Sequence, residues 1–418
     1  SGDVKSVVKQ ARDGKEVSNA DAVAKAAVAA LSTGKGYEGA FEYTTVKAAW
    51  KNRTIADGAE NLAYPAAPGE KWIDVDLARH TMTAYVGAKK VYGPISMVDG
   101  QDEKPTVRGT FKGYEIVSMP PPSSGGVHLV QMLNVLEHFP LRELQLNSAA
   151  YIHVLAETMK HAYADRSKHL GDPDFHRIPV AGLTSRAYAR QIHDAIDRQH
   201  ATPSAQILPA ATFPRESTQT THYSVIDAEG NVVSNTYTLN FSFGSGIAVP
   251  GAGFFLNNEM DDFSVKPGVP NVFGLIGDEA NAVGSRKRPL SSMTPTIVLK
   301  DGKPFLATGA PGGPRIITVV LQIILNTLVF DMNIADASAQ SRVHHQWLPD
   351  ELYLEPGVSP DTAALLESMG HTLGASGALF GNAQSLMYRD GTMYGASDTR
   401  RPGGGVATVE DVRAQSPR

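Results

Sequence analysis

The stretch Ser217-Thr218-Gln219-Thr220-Thr221-His222-Tyr223-Ser224 is a run rich in hydroxyl side chains that leads into an apolar, extended segment. It admits two readings. In the first it is a loop-to-strand junction, where threonine suits extended backbone. In the second the chain cuts itself before Thr220, which then becomes an N-terminal nucleophile. A freed α-amine has a reference pKa of ~7.7–8.0, so near neutral pH a useful fraction is unprotonated and can take the hydroxyl proton of its own residue. Nucleophile and base then sit in one residue.

Downstream of Thr220 the sequence has the grammar of a sheet. His222 to Asp227 and Val232 to Leu239 flank Ala228-Glu229-Gly230-Asn231; Thr296 to Lys300 and Pro304 to Thr308 flank Asp301-Gly302; Ser385 to Arg389 and Met393 to Ala396 flank Asp390-Gly391. Hairpins of this kind, two of them with the Asp-Gly turn signal, predict antiparallel pairing. Helices are predicted between the later hairpins, over Ile316 to Phe330 and Asp361 to Met369. Upstream, a strand over Tyr114 to Met119 runs into Pro120-Pro121-Pro122-Ser123-Ser124-Gly125-Gly126, and a helix follows with Leu129, Met132, Leu133 and Leu136 at helical spacing. A second helix is predicted from about Ala149 to Leu170, where Gly171-Asp172-Pro173 ends it, and a third near Ser185 to Gln199. The pattern is α+β, with helices covering sheet faces. In the first hundred residues, 1 to 31 read as helix, from the Ala-rich segment Asp21 to Leu31 with Ser18 and Asn19 as N-caps. Trp72 to Leu77, Thr81 to Val86 and Lys90 to Ile95 predict a small antiparallel meander.

The chain has 418 residues, 42% hydrophobic and 19% charged, which fits one large layered domain or two domains and excludes a disordered or fibrous protein. A formal net charge of -5 gives no electrostatic reason to expect nucleic acid or an acidic membrane as partner. Cysteine is absent, which removes disulfides, thiolate metal sites and a cysteine nucleophile. The longest apolar stretch, Ile316 to Phe330, is interrupted by Thr318, Gln322, Asn326 and Thr327 and falls short of the ~20 residues of a membrane span, so no span is expected. The first residues, Ser1-Gly2-Asp3-Val4-Lys5, are not a charged start followed by an apolar run, so a signal peptide is either absent or already removed. His344 and His345 suggest metal chemistry, but neighbours on a strand point to opposite faces and cannot ligate one ion, so no metal is expected there.

Several segments, in order, resemble the γ-glutamyltransferase (γ-glutamyltranspeptidase) family: Pro120 to Gly126, Tyr163-Ala164-Asp165-Arg166-Ser167 with Leu170-Gly171-Asp172-Pro173-Asp174-Phe175, Gln219 to Ser224, Asn257 to Phe263, Arg288 to Met293, and Gly312-Gly313. The similarity covers residues 105 to 418. It implies an N-terminal-nucleophile hydrolase fold, an αββα sandwich of mainly antiparallel sheets, made as a precursor cut between Gln219 and Thr220. The implied parts are a divergent segment 1–104, the end of a large subunit over 105–219, and a small subunit over 220–418. By the same resemblance Thr220 is the nucleophile, and Thr238 is the second threonine whose hydroxyl orients it. Asn240, Glu259 and Asp262 hold the glutamyl α-amino group, as suits an ammonium. Ser291 and Ser292 bind the α-carboxylate. Gly312 and Gly313 form the oxyanion hole, where bare backbone N–H groups approach the developing charge. Phe273, in Pro267 to Gly274, stands in the lid loop, where several bacterial members carry tyrosine.

Residues 1 to 100 lack the family's glycine-rich opening and its carboxylate-pairing arginine, which leaves the carboxylate to the serines and to a basic residue from another direction, such as Arg108. Residues 71 to 111 resemble instead the opening strands of an L,D-transpeptidase domain, a family that works through a cysteine this chain lacks. The resemblance therefore implies an enzyme that cleaves γ-glutamyl amides such as glutathione or glutamine. It would pass the acyl group to water or an amino acid without a cofactor, in the periplasm or outside the cell. The alternatives are a glutaryl- or cephalosporin-type acylase of the same fold and an unprocessed binding protein. Glu259, Asp262 and the serine pair favour the amino-acid substrate, since a glutaryl group has no α-amino group.

Overall fold

The computed structural model describes residues 6–7, 14–17, 22, 43–46, 53–54, 56–59, 62, 66–76, 81–96, 106–207, 220–227, 229–248, 254–375 and 377–407. The chain divides into two units, one of residues 1–100 with 249–254 and one of residues 101–248 with 255–418.

In the first unit, strands β1 (Ser6–Val7), β2 (Gly14–Val17), β3 (Tyr43–Val46) and β4 (Arg53–Thr54) form two short antiparallel pairs, β1 with β4 and β2 with β3. The helix expected over residues 1 to 31 is therefore wrong at Ser6–Val7 and Gly14–Val17, while Ala22 is helical. Alanine propensity speaks only for residues 20 to 31; ahead of it stand β-branched valines and Gly14, and strand pairing outweighs preferences of a few tenths of a kcal/mol per residue, on the order of 0.7 at most. The predicted meander is present as β5 (Lys71–Asp76), β6 (Thr81–Val86) and β7 (Lys89–Ser96), an antiparallel sheet in that order.

The second unit holds β8 (Val107–Phe111), β9 (Tyr114–Ser118), β10 (Thr221–Ile226), β11 (Val232–Tyr237), β12 (Thr296–Lys300), β13 (Lys303–Thr308), β14 (Val343–His344), β15 (Tyr353–Leu354), β16 (Gln384–Arg389) and β17 (Thr392–Ser397). Six of them make one antiparallel sheet in the order β17-β16-β13-β12-β9-β8. Its three hairpins turn on Lys112-Gly113, Asp301-Gly302 and Asp390-Gly391, all with positive φ at both positions, the backbone that matches the twist of the strands. The two Asp-Gly turns were legible; the lysine in the third hid it.

The main helices of the unit are α1 (Gly125–Leu136), α2 (Ala149–His169), α3 (Arg186–Ala195), α4 (Arg315–Leu328), α5 (Ile334–Ala339) and α6 (Pro360–Ser368), beside two one-turn helices at Leu141–Leu144 and Val180–Leu183. Helix α1 lies against β8 and β9 and also against α2 and α4. Every residue of α1 is buried, as is every residue of α4 except Leu328, so both run through the core. Three of the polar residues that interrupt the apolar run of α4 tie it to a neighbour, while Thr327 bonds back to its own helix. Gln322 donates to the Val343 carbonyl at 2.8 Å and accepts the Val343 N–H at 2.9 Å, Thr318 meets His344 Nδ1 at 2.9 Å, and Asn326 donates to the Ala337 carbonyl at 3.0 Å. Among the described residues no helix is long and apolar enough to cross a membrane.

The β10–β11 hairpin stacks on the sheet as a second β layer. Of its inward side chains, His222, Ser224, Ser234 and Thr236 are polar, with Ile226 and Val232 apolar at the turn end. Ser234 donates to the Thr308 carbonyl and accepts the Thr296 N–H, both at 3.1 Å, and Ser224 donates to the Gln384 carbonyl at 3.1 Å. His222 lies against Gly309, where a Cβ would stand 2.3 Å from the ring, and burial lowers its pKa to about 4, so the imidazole is neutral. Tyr223, Val225, Val233 and Tyr237 are exposed.

The β9–β12 pairing, with Thr296 opposite Ser118, sets the chain entering α1 beside the segment 291–294. The fit is close, since a Cβ at Gly125 would lie 2.3 Å from the Met293 carbonyl oxygen. Gly125→Ala is therefore expected to lower stability by about 1–3 kcal/mol or more, read as a lower urea midpoint. An unchanged midpoint would mean that the two segments do not meet in this way.

Candidate active site

Thr220 precedes β10 and Thr238 follows β11, so the Thr221–Tyr237 pairing brings the two hydroxyls together. Thr220 Oγ1 lies 3.5 Å from Thr238 Oγ1, at the outer limit of a hydrogen bond. Thr238 Oγ1 accepts the Asn240 N–H at 2.7 Å. Asn240 has φ of 73°, a left-handed backbone that asparagine tolerates, and this bend turns the chain out of the strand.

The Asn240 amide then donates to the Asn258 carbonyl at 3.2 Å, and Asn258 Oδ1 accepts the Phe241 N–H at 3.0 Å. These bonds hold a 3₁₀ turn, Glu259–Asp262, against the strand exit. Asp262 Oδ1 is buried with no hydrogen-bond partner among the described residues. Burial first, and then the neighbouring Glu259 charge, raise the Asp262 pKa to about 7, against the pull of Arg166. Burial also raises the Glu259 pKa.

The serine pair is held by the segment ahead of α1. Ser124 N–H and Oγ both donate to the Ser291 carbonyl, each at 2.8 Å, and Ser123 Oγ donates to the Met293 carbonyl at 2.7 Å. Just before the serines, Arg288 reaches Asp172 at 2.6 Å and Asp174 at 2.6 Å, so two separate motifs of the sequence are one ion-pair network. Arg166, near the end of α2, donates through Nε to Ser124 Oγ at 2.9 Å and through Nη2 to Ser292 Oγ at 3.0 Å. Burial lowers its pKa to about 10, which still leaves it charged at neutral pH.

Gly312 and Gly313, both with positive φ, lead into α4, and Tyr163 donates to the Pro314 carbonyl behind them. The positive end of this helix favours a developing anion. Phe273 is buried, edge-on to Phe241, in a loop fastened by Asn271 Oδ1, which accepts the Phe273 and Leu275 N–H groups at 3.0 and 3.1 Å.

One pocket is lined by Thr220, Thr238, Asn240, Asp262, Phe273, Ser291, Ser292 and Gly313, all singled out from the sequence. Glu259 and Gly312 flank it through Asp262 and Gly313, and Gln219 lies outside the described residues. Arg166 and Asn271 line it too, although the sequence reading assigned neither a role. Arg108, offered as a replacement for the missing cation, is not in the pocket; it pairs with Glu115 on the exposed side of β8. His344 and His345 have separate partners, Thr318 and Asp350. Elsewhere, His153, Glu157 and His371 bring donor atoms within 4.8 Å of one another, and the Lys160 ammonium bonds to Glu157 at 2.8 Å.

Two stacked β layers with a helical layer behind the larger, and a threonine at the head of a strand facing a pocket, are the architecture of the N-terminal-nucleophile hydrolases. The fold is similar to that of a cephalosporin acylase from Bacillus halodurans, with a TM-score of 0.59 at 24% identity over 71% of this chain and 51% of that one. The chain belongs to the gamma-glutamyltranspeptidase family, which matches over residues 100–408. It is 55% identical over 313 residues to a glutathione hydrolase proenzyme of Escherichia coli, covering 75% of this chain and 53% of the relative. It is 37% identical over 303 residues to an acylase proenzyme, ACY 1, of a Pseudomonas species, covering 72% and 51%. The chain thus spans about half the length of these relatives.

The raised Asp262 pKa has a thermodynamic sign. The folded chain holds the proton up to about pH 7 while the unfolded chain loses it near 3.8, so stability falls as pH rises through that window and stays lowered above it. Asp262→Asn should therefore melt higher than the parent at pH 8, with the difference closing near pH 4. A difference independent of pH would show that the carboxylate is not buried in this way.

Proposed function

We propose that the protein is a γ-glutamyl amide hydrolase and transpeptidase that acts through an acyl-enzyme on Thr220. The observation that carries the reading is the convergence in one pocket of the Thr220–Thr238 pair, a buried carboxylate and two serine hydroxyls. A nucleophile beside separate acceptors and donors suits the amino-acid end of a γ-glutamyl substrate.

In this reading the precursor cuts itself between Gln219 and Thr220. The Thr220 hydroxyl attacks the preceding carbonyl and the acyl group moves from nitrogen to oxygen, which frees the α-amine; water then hydrolyses the ester, releasing the Gln219 carboxylate and restoring the Thr220 hydroxyl. That amine then takes the Thr220 hydroxyl proton as the oxygen attacks the γ-carbonyl of the substrate. Thr238 orients the nucleophile. The N–H groups of Gly312 and Gly313, at the amino end of α4, stabilise the oxyanion. Asn240, Glu259 and Asp262 receive the ammonium, Ser291 and Ser292 the carboxylate, and the Phe273 loop covers the site by packing. Collapse of the intermediate expels the amine, and water or an amino acid takes the acyl group. Residues 105–219 and 220–418 are then parts of the large and small subunits, and the protein works in the periplasm or outside the cell.

The kinship with the ACY 1 acylase and the fold likeness to a cephalosporin acylase favour a second reading, a glutaryl-type acylase. The unpartnered Asp262 Oδ1 argues for the first, because a glutaryl chain brings no ammonium to meet it.

Denaturing electrophoresis of the purified protein should give two fragments, one starting Thr-Thr-His-Tyr-Ser, and Thr220→Ala should stay whole. A parent chain that remains at full mass under all refolding conditions would sink the mechanism. For a γ-glutamyl anilide, kcat/KM should rise with two deprotonations, the Thr220 amine near ~7.7–8.0 and Asp262 near 7. Asp262→Asn should leave one of the two and lower activity by about ten- to a hundredfold. Equal turnover of the γ-glutamyl anilide and its glutaryl analogue would replace this reading with the acylase one.

A further inference from the structure

Arg166 is 4% exposed and lines the pocket, yet its guanidinium touches hydroxyls and not carboxylates. The contrast is with Arg342, paired with Asp398 at 2.9 Å, and Arg288, paired with Asp172 and Asp174. Among the described residues no carboxylate forms an ion pair with Arg166. Asp262, across the pocket, acts on it electrostatically without an ion pair; a buried charge with no direct partner is costly, and such a group in a pocket wall favours an anion from outside the chain.

The hydrogen-bond directions say where that anion goes. A serine hydroxyl has one proton to give. Ser292 Oγ accepts from Arg166 Nη2, and Ser291 Oγ accepts the Met293 N–H at 3.0 Å, so N–H donors engage both oxygens and both protons are left for the pocket. Ser124 is the hinge of the arrangement: it accepts Arg166 Nε and donates to the Ser291 carbonyl. An acceptor-only group of negative charge is the complement of two such hydroxyls, and an arginine that donates into one of them polarises its O–H further. The opposite pole of the same pocket is Asp262.

We propose that Arg166 is a positioning residue for the substrate carboxylate, fixing Ser292 as a donor and supplying the buried positive charge that selects an α-carboxylate-bearing acyl group. This rests on the γ-glutamyl reading above and assigns the cation that the sequence left unassigned.

The test compares γ-glutamyl-p-nitroanilide with 4-aminobutyryl-p-nitroanilide, which keeps the amino group and lacks the carboxylate. The parent enzyme should prefer the first. In Arg166→Met that preference, as a ratio of kcat/KM values, should fall about ten- to a hundredfold, mainly through KM, and Arg166→Lys should restore part of it. A structural role would lower both substrates together and leave the ratio intact, which would overturn the proposal. If Arg166→Met does not fold, Ser124→Ala retains the charge and loosens its hold, so the ratio should fall by a smaller factor; an unchanged ratio again overturns it. Failure of the γ-glutamyl reading shows differently, as a parent enzyme inactive on both anilides. Calorimetric titration with L-glutamate and 4-aminobutyrate then decides: selective binding of L-glutamate that Arg166→Met abolishes upholds the assignment, and equal or absent binding of the two refutes it.

Discussion

The contact between the amino end of α1 and the segment Ser291 to Thr294 governs the geometry of the pocket. Strands β9 and β12 pair until Ser118 faces Thr296, and beyond that point both chains leave the sheet side by side. One enters a helix and the other turns through the serine pair. They remain in contact because Ser123 and Ser124 bind the Ser291 and Met293 carbonyls, and because Gly125 has no side chain to hold the backbones apart. Arg166 reaches Ser124 and Ser292 from α2, so the position of a third element is fixed by the same junction. A shift of either chain would disturb the serine hydroxyls, the arginine and the turn at Met293 together.

That junction carries the positive pole of the pocket, and the β11 exit carries the negative one. Asn240 and Asn258 lock the 3₁₀ turn to the end of the hairpin, and among the described residues no cation forms an ion pair with Asp262. Its raised pKa is the energetic sign of that isolation. Arg166 donates to the Ser124 and Ser292 hydroxyls and acts on Asp262 electrostatically across the pocket, without an ion pair. Two opposite charges, each held apart from a direct partner, store a preference for a ligand that brings the missing ones. A zwitterion does so at once, whereas a monoanion satisfies one pole and leaves the other buried and unpaired.

Most of the pocket was legible because its residues lie in short motifs whose chemistry is local: a threonine before a strand, a Gly-Gly turn before a helix, an acid pair after asparagines. Arg166 lies within such a motif, but its contacts were hidden. Nothing in the spacing of α2 says that its guanidinium meets hydroxyls more than forty residues earlier and more than a hundred residues later. The polar breaks in α4 had the same cause: Gln322 and Asn326 look like interruptions until β14 and α5 are laid beside them. Hairpins with Asp-Gly turns were readable from two residues, while Lys112-Gly113 adopts the same backbone without the usual signal. The error at Ser6–Val7 and Gly14–Val17 came from extending an alanine-rich propensity beyond the residues that carry it.

The β10–β11 hairpin explains why Thr220 could be singled out from the sequence and its orientation could not. Alternation along these strands is inverted relative to a sheet with an apolar inner face: His222, Ser224, Ser234 and Thr236 point inward, while Tyr223, Val225, Val233 and Tyr237 are exposed. The inward hydroxyls bind the free carbonyl and amide groups of Gln384, Thr308 and Thr296, so the layers are joined by directed hydrogen bonds. Apolar contacts tolerate sliding, whereas hydrogen bonds of defined length fix the register between layers. Fixed register puts Thr220 and Thr238 at the hairpin's open end in line with the Gly313 turn, which the larger sheet and α4 hold from the other side. In the proposed reaction a nucleophile on one element must meet an oxyanion site on another, and a polar interface between the two β layers supplies the precision that this requires.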